Sequence, residues 1–172
     1  KPGKTKRLSH RGFAMVLYLN EETIQQLLTM DIALDAVGRA MKDLALGRAT
    51  DVPRARIQTA AGIQHVLQAA APELGYIGFK YYYSVPGQRS AMYVHLVNMK
   101  TGKLDAIVEA RWQSMIRTGA ASGVASKALA NPGATTVAQL GAGYQGMGQL
   151  EAVVRALKLR EARVYAPTRD KL

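Results

Sequence analysis

Residues 141–146, GAGYQG, place three glycines in the spacing G-x-G-x-x-G. The six residues before them, TTVAQL at 135–140, are mostly apolar and β-branched at the start, which predicts a short buried strand. Apolar side chains recur at helical spacing over 147–158, and a second short strand is predicted at 162–166. Strand, glycine turn, helix and strand form the context in which this motif binds the phosphates of a dinucleotide. A glycine-rich turn without a ligand is the alternative.

Each glycine has a physical role in a phosphate-binding turn. Gly141 permits the tight bend, Gly143 lets the backbone approach a pyrophosphate, and Gly146 lets the helix pack close to the strand. The first N–H groups of the helix then face the phosphates and carry a partial positive charge. With Tyr144 and Gln145 between them, these glycines form the predicted cofactor-binding turn.

Lys80 is unusual because it stands inside IGFKYYY, a run of bulky apolar and aromatic residues at 77–83. One interpretation is a lysine that extends its ammonium group from a half-buried strand into water. The sharper interpretation is an ammonium held in a pocket, where desolvation lowers its pKa and suits it to proton transfer.

Two arginines, Arg54 and Arg56, alternate with apolar residues after Pro53 in DVPRARIQT at 51–59. The alternation predicts a strand with both guanidinium groups on one face. Such a face is usually that of a solvated edge strand, and an anion site is the functional alternative.

The composition is that of a globular chain. The 172 residues are 48% hydrophobic and 20% charged, enough for one ordinary domain or two small ones with a real core. The sequence has no cysteine, which excludes thiolate chemistry and fits a reducing, cytoplasmic compartment. No apolar run approaches the ~20 residues that a membrane helix needs, and nothing in the spacing of the histidines resembles a metal site.

The net charge of +11 would ordinarily suggest a polyanion partner. Much of it lies in the first eleven residues, KPGKTKRLSHR, which hold five basic residues and no acid. We predict a flexible solvated tail over 1–12. The basic tail could act as a targeting signal or bind nucleic acid, but a nucleic-acid partner is the less favoured interpretation.

Periodicity and turn residues predict the remaining elements. Asn20 is expected to cap a first helix, and Asp31 a second helix that stops at Gly47. Turns are expected at 85–88 and 100–103. Strands are expected at 13–19, 51–59, 63–70, 76–84, 93–99 and 104–109, and a helix at 112–130.

Several stretches together resemble the ornithine cyclodeaminase/mu-crystallin family. The glycine turn and an upstream Arg-Thr-Gly-Ala-Ala-Ser stretch, at this separation, are quite specific to it. The matching pieces are LNEETIQQLL near the start, PRARI at 53–57, GFK at 78–80, TGKLDAIVEA at 101–110, IRTGAASGVASKALA at 116–130 and GAGYQGMGQLEAV at 141–153.

The resemblance implies a homodimer of two-domain subunits, in which one domain binds substrate and dimerises through its sheet and the other is a Rossmann domain. Family members include cyclodeaminases, alanine dehydrogenases, reductases of cyclic imino acids and a thyroid-hormone-binding crystallin. By residue match, Arg54, Lys80 and Arg117 correspond to the residues that bind the substrate carboxylate and form the catalytic pocket, and Thr118 is expected near the cofactor phosphates. Lys80 is then the candidate catalytic acid or base.

The fold class that follows is α/β: a mixed α+β substrate-binding and dimerisation domain over 13–131, then the start of a Rossmann domain over 132–172. A single βαβ unit leaves a two-stranded parallel sheet with uncovered faces, which is not a stable domain. We therefore expect these residues to belong to a protein of roughly twice this length. The resemblance places the family's catalytic Asp in the missing part.

The end of the second Rossmann strand departs from many relatives, which carry Asn-Arg-Thr or Asp-Arg-Thr where Ala166, Pro167 and Thr168 stand. An acid at this position would accept hydrogen bonds from the ribose 2′-OH of NAD and repel a 2′-phosphate. Thr168 and Arg169 suit a phosphate instead. Asp170 is the counterargument, since a shifted turn could bring it to the ribose. The strand end therefore predicts a preference for NADP(H), with NAD(H) still possible.

The favoured function is an NAD(P)-dependent oxidoreductase that acts at Cα of a small amino or cyclic imino acid, as an imine reductase or amino-acid dehydrogenase. One alternative is a lyase of the ornithine cyclodeaminase type, in which the bound cofactor is recycled. Another is a binding protein of the crystallin type that kept the nucleotide site and lost turnover. Arg54, Lys80 and Arg117 argue against that loss, because a pure binder need not keep three cations for one carboxylate.

Overall fold

Eight strands and four α-helices make up residues 15–168, the part of the chain that the computed structural model describes. The helices and strands form a mixed α/β arrangement, as expected. In chain order they are β1 (Leu17–Leu19), α1 (Glu21–Leu27), α2 (Met30–Ala45), β2 (Thr50–Gln58), β3 (Ile63–Ala71), a 3₁₀ turn (Pro72–Leu74), β4 (Tyr76–Ser84), β5 (Met92–Asn98), β6 (Leu104–Glu109), α3 (Arg111–Leu129), β7 (Thr136–Leu140), α4 (Tyr144–Leu157) and β8 (Glu161–Tyr165).

The first six strands form one sheet in the order β1-β6-β5-β4-β3-β2. β1 runs parallel to β6, and every other neighbouring pair is antiparallel. The register places Lys80 opposite Leu67 of β3 and Val94 of β5. Because side chains alternate between the two faces of a strand, these three point to the same side of the sheet. That side faces the helices, since the Lys80 ammonium bonds to Ser114 of α3.

The opposite face of this sheet carries many exposed apolar side chains. Tyr18 is 53% exposed and Ile57 is 60% exposed, and Ile77, Phe79 and Tyr81 on the inner strand β4 also remain in contact with solvent. Phe79 stacks there on His95 of β5 with 4.4 Å between ring centroids. His95 is therefore a packed strand residue.

The fully buried core is formed by helices. Met30 and Ala33 of α2 pack against Met115, Ile116 and Ala120 of α3. Trp112 adds a partly buried ring whose Nε1–H donates to the carbonyl of Leu28 at 3.0 Å. α3 is thus the central helix, because α1, α2 and α4 all pack against it.

Glycines let α3 and α4 approach each other closely. A Cβ built on Gly119 would lie 2.1 Å from the carbonyl oxygen of Gly148, and one on Gly123 would lie 2.9 Å from the carbonyl oxygen of Ala152. Both distances are too short for a real side chain, so only glycine fits at this seam. The seam ties the glycine-turn helix α4 to the helix that bonds to Lys80.

The second sheet is the parallel pair β7–β8, joined by α4, which confirms the predicted βαβ unit. The helix begins at Tyr144 rather than at 147, because Gly143 itself is the N-cap and the second half of the motif is helical. The last strand ends one residue earlier than expected, at Tyr165.

Most other predicted elements are present, with shifted ends. Asn20 caps α1, as predicted, and its side-chain oxygen accepts a hydrogen bond from the N–H of Thr23 at 2.9 Å. The cap of α2 is Thr29 rather than Asp31, which lies in the first helical turn. α2 ends at Ala45, before the expected stop at Gly47. The predicted tail over 1–12 and the residues 169–172 lie outside the described part of the chain, and the domain boundaries remain predictions.

We expect Gly119→Ala to destabilise the protein, because its methyl group would collide with the backbone of α4. Overpacking of this kind costs about 1–3 kcal/mol in the free energy of unfolding. Gly38→Ala in α2 is the matched control, since its Cβ would meet only Val124 at 3.8 Å and the change should be neutral or stabilising. Urea unfolding of both variants is the measurement, and equal stabilities would contradict the close seam.

Candidate functional site

Lys80 lies at the centre of β4 with its side chain partly buried. Its Nζ donates a hydrogen bond to Oγ of Ser114 at 2.9 Å and lies 5.3 Å from the centre of the Tyr82 ring. Ser114 is itself buried, at the start of α3. The ammonium is therefore held between the sheet and α3 rather than extended into open water.

Burial, followed by the charges of Arg117 and then Arg54, lowers the pKa of Lys80 from 10.5 to about 8. The pKa of Arg117 is lowered as well, first by burial and then by Arg54, although part of this arginine remains exposed to solvent. The three predicted substrate-binding cations thus lie close enough together to disfavour one another's charge.

No carboxylate within residues 15–168 forms an ion pair with Lys80, Arg54 or Arg117. Other arginines of the described chain do have such partners: Arg39 pairs with Asp35 at 2.9 Å, and Arg155 with Asp31 at 3.0 Å. A cluster of cations without an internal counter-ion is suited to an anionic ligand, and guanidinium groups match a carboxylate with two parallel hydrogen bonds.

Arg54 reaches this cluster from the edge strand β2. The ladder between β2 and β3 is irregular between Val52 and Ala55, around Pro53, and proline commonly occupies such edge positions. The whole of β2 is exposed, as expected for a solvated edge strand, and the charge of Arg54 still lowers the pKa values of Lys80 and Arg117. The anion site at Arg54 stays a prediction.

His65 belongs to the same face, and the sequence reasoning missed it. It pairs with Arg56 and Tyr82 across the sheet, is 9% exposed, and stacks on the Tyr82 ring at 4.4 Å. Burial lowers the pKa of His65, and the charges of Arg54, Arg56 and Lys80 lower it further, all of which disfavour the charged imidazole. The available signal was strand alternation, which places position 65 beside the basic face.

The glycine turn has the backbone that a dinucleotide requires. Gly141 has φ +105°, a conformation that side chains rarely adopt, and the space above Gly141 and Gly143 is open. A Cβ on Gly146 would lie 2.8 Å from the carbonyl oxygen of Gly141, which is why the motif needs its third glycine. The side chain of Gln139 points to the same place, and its Nε2 donates a hydrogen bond to the Gly141 carbonyl oxygen at 2.8 Å. The residues present therefore fit a pyrophosphate at the start of α4.

Tyr144 and Gln145 follow in the first turn of α4, and both are exposed. The guanidinium of Arg111 lies over the Tyr144 ring, 4.8 Å from its centre. Burial raises the pKa of Tyr144, while the charge of Arg111 lowers it. Arg111 is the first residue of α3, so this contact joins the start of α3 to the start of α4.

Two glutamates fix the start of α3 relative to the rest of the sheet. The Glu21 carboxylate accepts hydrogen bonds from the backbone N–H groups of Arg111 and Trp112. The Glu109 carboxylate accepts from the N–H of Glu21 and the hydroxyl of Tyr18, each at 2.6 Å. These bonds lower the pKa of Glu109 and raise that of Tyr18 to about 12. Each carboxylate thereby satisfies free N–H groups at a helix start.

Three further residues, Thr118, Thr168 and Arg169, were predicted to bind the cofactor. Thr118 lies on α3 next to Arg117, and its hydroxyl donates to the carbonyl of Ser114 at 2.6 Å. Thr168 is exposed just beyond β8, after the buried Ala166 and the exposed Pro167. Arg169 lies outside the described residues. Within residues 15–168, no group of three or more His, Cys, Asp or Glu is placed to hold a metal ion.

The sheet, the central helix and the glycine turn form a mixed α/β structure that ends in one βαβ unit. The ornithine cyclodeaminase/mu-crystallin family model matches residues 15–171, so the chain belongs to that family. No helix in the described part of the chain has the length and hydropathy to cross a membrane.

Similar proteins of this family extend beyond the matched region. The chain is 32% identical over 155 residues to an alanine dehydrogenase of Archaeoglobus fulgidus, covering 87% of this chain and 48% of that protein. A solved archaeal alanine dehydrogenase dimer with bound NAD has a TM-score of 0.81 and 31% identity, over 87% of this chain and 48% of that one.

A second solved structure is the Δ1-pyrroline-2-carboxylate reductase of Thermococcus litoralis in complex with NADH and L-proline. It has a TM-score of 0.83 and 27% identity, over 91% of this chain and 51% of that one. The chain thus spans about half the length of the curated relatives it matches.

Proposed function

We propose that this protein is a nicotinamide-dependent oxidoreductase that acts at Cα of a small amino or cyclic imino acid. The observation that carries the proposal is the cluster of Arg54, Lys80 and Arg117, three cations without a carboxylate partner in the described chain. The relatives named above support it, since they include an alanine dehydrogenase and a pyrroline-2-carboxylate reductase.

In this proposal the two arginines bind the substrate and Lys80 transfers a proton. The two guanidinium groups bind and orient the substrate carboxylate, which fixes the position of Cα. Lys80, with a pKa of about 8, exchanges a proton near neutral pH. In the oxidative direction it accepts the proton that leaves the substrate nitrogen as the imine forms; in the reductive direction it returns that proton. A nicotinamide dinucleotide whose pyrophosphate is held at the glycine turn would supply or receive the hydride.

Cofactor turnover separates this function from its alternatives. A dehydrogenase or reductase produces a net absorbance change at the reduced-nicotinamide wavelength when an amino or imino acid is added. A cyclodeaminase releases ammonia with no net consumption of cofactor. A binding protein of the crystallin type binds ligand and does neither.

We propose that the uncovered face of the sheet forms a homodimer interface. Ile57, Ile77 and Tyr18 expose between 45% and 60% of their surface there, and patches of this kind on a sheet mark interaction sites. The solved archaeal relative is a dimer, which supports this assembly. A cytoplasmic location remains a prediction from the absence of cysteine.

Arg54→Ala and Arg117→Ala should each raise KM or Kd for the substrate roughly ten- to a hundredfold, because a hydrogen bond to a charged group contributes about 1.5–3 kcal/mol. Cofactor binding should change little. Lys80→Met should mainly lower kcat. Arg39→Ala and Lys103→Met, both away from the cluster, are the matched controls. Steady-state kinetics of the full chain give the measurement, and near-parental values in the three site variants would rule out this assignment.

We further propose a preference for NADP(H), because the end of β8 offers Ala166 and Pro167 where an NAD-selective site has an acid. NADPH should bind more tightly than NADH at fixed salt, and Arg169→Ala should weaken NADPH binding roughly tenfold or more while Arg160→Ala does not. Titration of both cofactors gives the dissociation constants. The two solved relatives contain NAD and NADH, so they favour the opposite preference. Tighter binding of NADH than of NADPH to the parent protein would refute our proposal.

A further inference from the structure

A cavity of about 650 Å³ lies between α2, α3 and strands β3 to β5. Its volume falls within the ~300–1,000 Å³ of ordinary ligand sites. α2 contributes Met41 and Leu44, and the sheet contributes Leu67 and Leu96. Gly78 leaves part of this wall without a side chain. Most of the lining is therefore apolar, which is unusual for a site intended for a very small polar acid.

The same cavity is lined by Lys80 and Arg117, the cations assigned to the substrate carboxylate. Gln113, one helical turn before Arg117, lines it as well, and its side-chain oxygen is buried without a hydrogen-bond partner. Lysine and arginine can only donate hydrogen bonds, whereas the Gln113 oxygen accepts. This part of the cavity can thus satisfy both a carboxylate and the N–H of an amino or imino acid.

Resting on the proposed function, we infer that this cavity holds the substrate's side chain and that the substrates are amino or imino acids with long or bulky apolar side chains. A methyl group such as alanine's would leave most of the apolar wall in contact with water, whereas a four-carbon or aromatic side chain would cover it. Burial of that extra surface is the source of the selectivity.

A diamino acid is the chemical alternative, because Asp51 also lines the cavity. Asp51 is exposed to solvent on the edge strand β2, however, and the wall between it and Lys80 is apolar. Transfer of a second ammonium group into such a wall is unfavourable without a buried partner. L-Norleucine and L-lysine have similar length and differ mainly in that ammonium group, so they form a matched pair of probes.

The test is kcat/KM of the full chain for L-alanine, L-norleucine, L-phenylalanine and L-lysine, with oxidised nicotinamide cofactor. We expect norleucine or phenylalanine to exceed both alanine and lysine by about tenfold or more. Ala40→Phe, which fills the cavity from α2, should lower the values for the large apolar substrates while alanine turnover is kept. Ala45→Phe, on the same helix and outside the lining, is the control.

A preference for alanine or lysine would overturn the inference and leave the proposed reaction intact. Indifference to both side-chain size and Ala40→Phe would also overturn it, and would indicate that another part of the protein fills the cavity. Absence of turnover with every acid would contradict the proposed reaction and this inference with it. Thermal unfolding of both phenylalanine variants verifies that they fold.

Discussion

Mutual repulsion among Arg54, Lys80 and Arg117 is the constraint on which the candidate site depends. Burial is the largest cause of the lowered pKa values of Lys80 and Arg117, and the neighbouring positive charges lower both further because like charges disfavour one another. The surrounding structure must hold these groups together against that repulsion. A bound carboxylate would relieve that repulsion, which suits the cluster to the anionic ligand proposed above.

The central helix α3 supplies much of that support. The Glu21 carboxylate holds its start through two backbone N–H groups, and Met115 and Ile116 lie in the buried core. These contacts fix the rotation of the helix, which aims Ser114 at the Lys80 ammonium and Arg117 at the same cavity. One helix thus carries both a hydrogen-bond partner of Lys80 and one of its repelling charges.

The same helix connects the anion site to the glycine turn. Gly119 and Gly123 let α4 approach within a distance that excludes any side chain, and Arg111 covers the ring of Tyr144 at the start of α4. Arg117 lies on α3 and the glycine turn begins α4. A substrate bound by Arg117 and a dinucleotide bound at Gly141–Gly146 would therefore both be positioned by this tightly packed pair of helices. In hydride transfer, where the two reacting carbons must be held close together, such a shared element reduces the freedom of both partners.

Much of this could be predicted from sequence, because local patterns determine it. The glycine spacing, the strand around Lys80 and the Asn20 cap each depend on residues near in the chain, and the structure has all three. Long-range packing could not be predicted in this way. The stacking of His65 on Tyr82, the unpaired Gln113 oxygen and the Gly119–Gly148 contact depend on residues that are not neighbours in sequence. The cap at Thr29 instead of Asp31 was missed because both residue types cap helices well.

The protonation of Lys80 tests the central claim most directly. The pKa should be measured by NMR titration of the full chain without substrate, with the lysine side chains ¹³C-labelled and Lys80→Met used for assignment. We predict a pKa of about 8, below the ordinary 10.5. Arg117→Met should raise that pKa, because it removes a positive charge, and Arg111→Met on the same helix should leave it unchanged. A parental pKa near 10.5, or one that Arg117→Met does not raise, would contradict the account of a desolvated cation cluster.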